Sequence, residues 1–578
     1  MTHTGKSLLL RGGPVYAVGA PTTAVLVRDG RIAWIGDEAG ADALLEGAGA
    51  VTRTVHLDGC LLMPAFVDSH VHLAATGLAV GVPDLSRVRS AAQLLDAVAL
   101  AAASLDPDRT VLGFGWDDSG WNDSGWNEPR LPSRAELDRA AGGRPVFLGR
   151  IDVHSALVTG PVAAVAGGAG AVSAAGRIGA PPDAPTSLVH WDDRPGALSL
   201  PRLLADLLTR ADRCGLLIAA LDLAAARGVG LVHEMAAPQL ADLDDLSLLD
   251  ELGVLLRPAD DDRGPGSAAA PHRMVRPLVA AWWGQHADSG GVATAIAAGA
   301  TGCGGDLCVD GSLGSRTAAL RADYTDLPGS AGDLYLDAAG IAAHVAACAL
   351  AGVRTGFHLI GDRAAAAVAD GLALAAGQVG VAAVAATAPR LEHAELIPDE
   401  LLAGFARLGV TASVQPAFAT TWGGPGGMYE QRLGSDRAGQ LNRFADFTRA
   451  GIPLVFGSDS PVTPLAGWAS VRDASAHPDP VQAPSLRHAV AAATRGGWRC
   501  AGRPEVGRIA VGAAAHLAWF AVTDGWQQQD GDDRVARWST DPASGVPPLP
   551  ALGPDRALPD CRGLLVGGRP AAVPAVPR

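Results

Sequence analysis

Apolar positions recur along this chain in two rhythms, and the change from one to the other marks out its parts. Ser7-Leu-Leu-Leu-Arg11 and the stretch from Ala24 to Gly36 are short apolar or alternating runs, the pattern of strands. Asp29-Gly30 stands between two such runs and predicts a two-residue hairpin, because that turn needs positive φ at both central positions. Near the other end, Gly512 to Ala521 and Gly563 to Pro570 read as further strands. Neither end has enough strands to bury a sheet face alone. Residues 1–62 and 505–578 are therefore expected to share one small β-sandwich.

Between the ends, strand-like runs alternate with Ala- and Leu-rich stretches of helical period, as in βα units around a parallel sheet. Strands are expected over 65–70, 229–234, 253–258, 305–310, 353–358, 388–393, 411–416 and 454–459. Eight of them predict an α/β fold, a (β/α)8 barrel formed by residues 63–77 and 216–504. The span exceeds the roughly 250 residues of a plain barrel, so 78–215 is assigned to an inserted domain at the barrel mouth, after strand one. That segment holds the tandem repeat Asp118-Ser-Gly-Trp-Asn122 and Asp123-Ser-Gly-Trp-Asn127, which reads equally as an aromatic lid or a duplicated surface loop. Residues 258–271, rich in Asp, Gly, Ala and Pro, predict a surface loop.

Composition narrows the function classes. The chain has 578 residues, 48% of them hydrophobic, which is core material for two or three domains. No apolar run approaches the roughly 18 to 20 residues of a membrane span. The first ten residues carry one lysine and too short an apolar patch for a signal peptide, which points to the cytoplasm. A formal net charge of -15 without a basic stripe argues against a nucleic-acid partner. Seven cysteines are scattered with no Cys-X-X-Cys pair, so neither a disulfide framework nor a zinc ribbon is indicated. Lys6 is the sole lysine.

The candidate chemistry stands at the polar ends of apolar runs. In Phe66-Val-Asp-Ser-His-Val-His72 the strand period of two puts His70 and His72 on one face, where both rings can reach one metal ion. Gly356-Phe-His358, Arg390-Leu-Glu-His393 and Phe456-Gly-Ser-Asp459 each end a run in a His or an Asp. Strand ends converge at one face of a barrel, so these residues together predict a metal centre. A lone histidine at a strand end is more often a hydrogen-bonded structural residue. The His-X-His spacing reverses that expectation for His70 and His72.

These segments, with Asp310-Gly-Ser-Leu-Gly-Ser-Arg-Thr-Ala318, His358-Leu-Ile-Gly-Asp-Arg-Ala364, Ser413-Val-Gln-Pro416 and Gly457-Ser-Asp-Ser-Pro461, resemble the amidohydrolase superfamily. More narrowly they resemble its YtcJ-like branch, amidohydrolase family 3, as do Gly113-Phe-Gly-Trp-Asp117 and the stretch Arg144 to His154. The resemblance implies a metal-dependent hydrolase on a (β/α)8 barrel. It implies His70 and His72 as first-strand ligands, His358 and His393 as the fifth- and sixth-strand histidines, and Asp459 as the eighth-strand aspartate. One departure stands at strand four, where binuclear relatives carry a carbamylated lysine bridging two metals. That position is Asp306 here, and with Lys6 the sole lysine no such bridge can form. Asp306 is then a shorter bridging carboxylate, or a salt-bridged or helix-capping residue. The reading favours one divalent ion over two, zinc by default, held by His70, His72, His358 and Asp459 with His393 beside it. A second departure, His516 in place of the usual aspartate, is read as structural.

Such an ion lowers the pKa of its water from 15.7 to about 7. Asp459 would take the proton and return it to the leaving nitrogen, and His393 or His233 would stabilise the oxyanion. His154, Trp116, Asp310 and Arg316 are candidate substrate contacts, each with a structural alternative: support behind the metal, burial in the insertion's core, or a loop-fixing ion pair. The activity implied is hydrolysis of an amide or N-formyl-like bond in a small molecule. Its rivals are deamination or ester hydrolysis on the same barrel, and a non-catalytic binding homologue that lost the strand-four lysine. Homodimers are usual in the resembling family, and no interface patch is legible in this sequence.

Overall fold

The computed structural model of the chain describes residues 7–17, 22–46, 51–106, 109–116, 130–150, 155–160, 162, 188–190, 207–258, 260, 275–527 and 547–573. Strands β1 (Ser7–Arg11), β2 (Ala24–Arg28), β3 (Arg31–Gly36) and β4 (Arg53–His56) form one sheet in the order β3-β2-β1-β4. The hairpin turns where Asp29 and Gly30 take φ of 50° and 79°, as the Asp-Gly pair requires. β5 (Leu61–Pro64) leaves that sheet and leads into β6 (Phe66–Val71), the first strand of the barrel. β7 (Val111–Trp116), β8 (Val146–Arg150), β9 (Ser155–Val158) and β10 (Leu188–His190) follow as a separate sheet inserted after it.

The barrel resumes with β11 (Val229–Ala236), β12 (Leu278–Trp283), β13 (Gly302–Cys303), β14 (Arg354–Leu359), β15 (Arg390–His393), β16 (Thr411–Val414) and β17 (Leu454–Phe456). These seven strands and β6 form one eight-stranded parallel sheet in the order β17-β16-β15-β14-β13-β12-β11-β6. Every residue of β6, β11 and β12 is buried, as expected where helices cover a parallel sheet. The two edges meet through Asp459 N–H donating to His70 C=O at 2.8 Å and His72 N–H to Ser460 C=O at 3.0 Å. The Asp68 carboxylate accepts the Ser458 N–H at 2.8 Å across the same seam.

Two strands fall elsewhere than expected. The third is Leu278–Trp283 and not 253–258, whose Leu255 makes only a single parallel bridge to Val279 of the true strand. The fourth is two residues long and ends before 305–310 begins. Gly304 and Gly305 take φ of 135° and 77°, and a Cβ on Gly304 would stand 2.2 Å from the Gly356 carbonyl oxygen. The chain therefore bulges from the sheet at that point, with Asp306 on the bend, and pairs with β14 again at Cys308, which bridges His358 in parallel.

β18 (Leu517–Ala521), β19 (Trp526–Gln527), β20 (Leu549–Pro550), β21 (Asp560–Val566) and β22 (Arg569–Pro570) complete the chain, and a sheet in the order β22-β21-β18-β5 joins its two ends. Leu8, Leu10, Val25 and Val27 pack with Leu62, Leu517 and Leu565 in one core. His516 is structural there, its Nδ1 accepting the Gly567 N–H at 3.3 Å and its ring against Trp498. Among the described residues no helix is long and apolar enough to cross a membrane.

Candidate metal centre

Four histidines and two aspartates meet at the C-terminal ends of the barrel strands. His70 comes from β6, and His72 stands at the N-terminus of the following helix, Leu73–Gly81. His358 is the penultimate residue of β14, His393 ends β15, and Asp459 follows β17. His393 and Asp459 take left-handed φ of 65° and 56°, a strained backbone that turns both side chains off their strands.

Asp306 stands at the centre. Its Oδ2 lies 3.4 Å from Nε2 of His70 and 3.4 Å from Nε2 of His72. Asp459 Oδ1 faces the same two nitrogens at 3.4 and 3.1 Å. Donors about 2 Å from a tetrahedral ion stand about 3.3 Å apart, so this quartet has the spacing of one coordination shell. The other oxygen, Oδ1, faces a different pair: Nδ1 of His358 at 3.7 Å and Nε2 of His393 at 3.9 Å. His70 Nε2, Asp306 Oδ1 and Asp459 Oδ1 are buried and make no hydrogen bond, so the donors are aimed at a space that nothing in the chain fills. That donor set fits a divalent cation.

The histidines are held from behind. Glu392 Oε2 lies 2.9 Å from His70 Nδ1, which leaves the Nε2 lone pair turned inward. Gln415 Oε1 does the same for His393 at 2.9 Å from its Nδ1. His358 has Nε2 towards the Gly311 carbonyl at 3.4 Å, so it presents Nδ1. Glu392 and Gln415 stand within motifs quoted above but were not singled out. Their signal is the strand period, which puts Arg390 and Glu392 on one face of β15 and Ser413 and Gln415 on one face of the next strand and its extension.

The electrostatics follow from two buried carboxylates among imidazoles. Burial opposes charge on His70, yet Asp306 and Asp459 outweigh it and hold the ring well above its ordinary value. Burial is likewise outweighed at His358, which Asp306 raises to about 9. His393 moves the other way, to about 4, through burial and the positive charge of His358 and His70. Asp306 lies well below the usual carboxylate range, because His70 and His358 overcome its burial. The centre thus draws in positive charge.

The other candidates fall outside it. His233 is not an oxyanion donor: it is fully buried with Nδ1 taken by Arg390 at 2.8 Å, and burial beside that arginine holds it well below its ordinary value. Asp310 is not a substrate contact either, because its oxygens accept the backbone N–H groups of Ala319, Ile360 and Gly361. Arg316 pairs with Asp326 at 2.7 Å on an outer loop. Trp116 is fully buried in the inserted sheet, its indole donating to Leu148 C=O at 2.8 Å. Asp362 and Arg363 are structural, accepting the Arg321 N–H and donating to Gly332 C=O. His154 and the tandem Trp repeat lie outside the described residues.

Comparison with known proteins places the chain in a family. A family model described as "Amidohydrolase family" matches residues 53–572. YtcJ, a Bacillus subtilis (strain 168) protein named as an amidohydrolase, is 26% identical over 473 residues, covering 78% of this chain and 80% of the relative. An Arthrobacter pascens protein named N-substituted formamide deformylase is 30% identical over 156 residues, 26% of this chain and 27% of that one. The crystal structure of an uncharacterized metal-dependent hydrolase from Pyrococcus furiosus superposes with a TM-score of 0.67 at 24% identity, covering 89% of this chain and 98% of that chain.

Proposed function

Because the chain belongs to the amidohydrolase family, as a hydrolase of carbon-nitrogen bonds other than peptide bonds, we propose that it cleaves an amide or N-formyl-like group of a small molecule at a centre whose residues would hold two divalent ions, with Asp306 facing both donor sets. The observation that carries the reading is the division of the Asp306 carboxylate between two donor sets. One ion would take His70, His72, Asp459 and Asp306 Oδ2; the second would take His358, His393 and Asp306 Oδ1. This departs from the single ion expected from the short side chain of aspartate. Short as it is, the Asp306 side chain stands 3.4, 3.4, 3.7 and 3.9 Å from the ring nitrogens of His70, His72, His358 and His393. Zinc suits imidazole and carboxylate donors in such a site.

Divalent ions held there supply Lewis acidity and lower the pKa of water from 15.7 to about 7. The chain's own residues do the rest. Asp459, kept ionised because His70 and His72 outweigh its burial, takes the proton of the attacking water and hands it to the leaving nitrogen. The side chains of His72 and His358 are 16% and 15% exposed and that of His70 is sealed, so substrate approaches from the side of His72 and His358. His393, neutral between Gln415 and Asp306, is a ligand and not an acid. The inserted segment 78–215 and the loops after the strands select the substrate. The formamide deformylase relative supports an N-formyl amine as substrate, and seven cysteines that form no disulfide support a reducing compartment, the cytoplasm.

The test is amine release from a panel of N-formyl and N-acyl amines, with matched esters and amino-heterocycles beside them. The account expects carbon-nitrogen cleavage that a chelator abolishes and zinc restores. Turnover of the esters alone, of the heterocycles alone, or of nothing by metal-loaded protein contradicts it.

A further inference from the structure

At the end of the barrel away from the metal centre lies a cavity of about 270 Å³. Arg354, Arg390 and Thr411 are the first residues of β14, β15 and β16, so the cavity opens at the N-terminal ends of the strands. Trp282, Arg499 and Cys500 line it as well, and among the described residues no Asp or Glu does. In a chain of net charge -15, a recess walled by three arginines, with no carboxylate among its described lining residues, stands against the background.

The three arginines are not equivalent. Arg390 is satisfied: it pairs with Glu392, donates to Ser413 Oγ at 2.9 Å and lies over the Trp282 ring at 5.0 Å. Arg354 has no hydrogen bond or ion pair among the described residues, and burial together with Arg503 works against its charge. Arg499, exposed at the rim, has none either. Trp282 is 1% exposed, and its indole Nε1 is buried with no partner. A half-buried cation with no acceptor among the described residues is costly, and the partner it lacks is an anion. Guanidinium forks match the oxygens of phosphate in pairs.

We propose that this cavity is a binding site for a phosphate group, with Arg354 and Arg499 supplying the charge. The volume leaves room for a small organic group esterified to the phosphate, so the ligand is the free ion or a phosphorylated metabolite.

The experiment is calorimetric titration of the metal-loaded enzyme with inorganic phosphate, for the wild type, Arg499→Glu and Arg354→Gln. Phosphate that binds at the metal centre contributes equally to all three, so the difference isolates the cavity. The expected result is loss of one class of phosphate site in both variants, or its weakening by at least about tenfold, with metal content unchanged. Identical isotherms for the wild type and Arg499→Glu overturn the proposal. Arg499 is a surface side chain, so that comparison decides the matter even if Arg354→Gln does not fold. Repeating the titration with glycerol 3-phosphate separates the two sources: tighter binding of the ester assigns a phosphorylated metabolite, and equal or weaker binding assigns the free ion.

Discussion

Glu392 Oε2 lies 2.9 Å from Nδ1 of His70, and both side chains are fully sealed from solvent. With an ion bound, the contact would keep the remaining proton of His70 on Nδ1 and leave Nε2, which faces Asp306 and Asp459, free to coordinate. Arg390 in turn holds Glu392 through Nη2 at 2.9 Å and ties it to His233. A line of buried charge thus runs from the floor of the barrel to the metal centre.

Glu392→Gln is expected to weaken metal affinity by about 10- to 100-fold, measured by competition with a chromogenic chelator. It also has a pH signature. Burial alone would raise this carboxyl, yet Arg390 and His70 hold it at about 2, below its ordinary 4.5. A carboxyl lowered on folding stabilises the native state above its unfolded pKa, and that contribution is lost as pH falls from about 4.5 towards about 2. The gap in unfolding free energy between wild type and variant should therefore be constant near neutral pH and narrow below about pH 4.5. A gap that widens in acid contradicts the assignment.

Gln415→Leu removes the acceptor that orients His393 while keeping the side chain's bulk. The expected result is selective loss of one ion, with affinity for the second metal equivalent falling about 10- to 100-fold and the first unchanged. Metal analysis after graded dialysis reads this directly. Equal loss of both ions would mean that His393 does not serve a separate site.

Much of this cluster is legible in the sequence, for reasons that individual residues make plain. His70 and His72 announce themselves because a strand's period of two leaves them on one face, and His358, His393 and Asp459 because each closes an apolar run. Asp306 could not be read this way. Its position depends on where a two-residue strand stops, and Gly304 and Gly305 decide that through backbone conformations that carry no apolar pattern. The third barrel strand was misplaced because Val254-Leu-Leu256 and Leu278–Trp283 are both short apolar runs, and only pairing with β11 distinguishes them. Asp310, Arg316 and Trp116 are residue types common in active sites, but here their partners are local backbone groups or a neighbouring loop.

Asp459→Asn keeps an oxygen that can face His70 and His72 but loses the base. Turnover should fall by about 10²- to 10⁴-fold while metal content stays near normal. Loss of metal in step with activity would make Asp459 chiefly a ligand, leaving the proton transfer to another group.

The two-ion reading rests on Asp306 above all. An anomalous-scattering map of zinc-loaded crystals, collected for the wild type and for Asp306→Ala, tests it most directly. The account predicts two peaks in the wild type, one beside His70, His72 and Asp459 and one beside His358 and His393, with Asp306 between them; in the variant at least one peak disappears. A single peak in the wild type that Asp306→Ala leaves in place contradicts it.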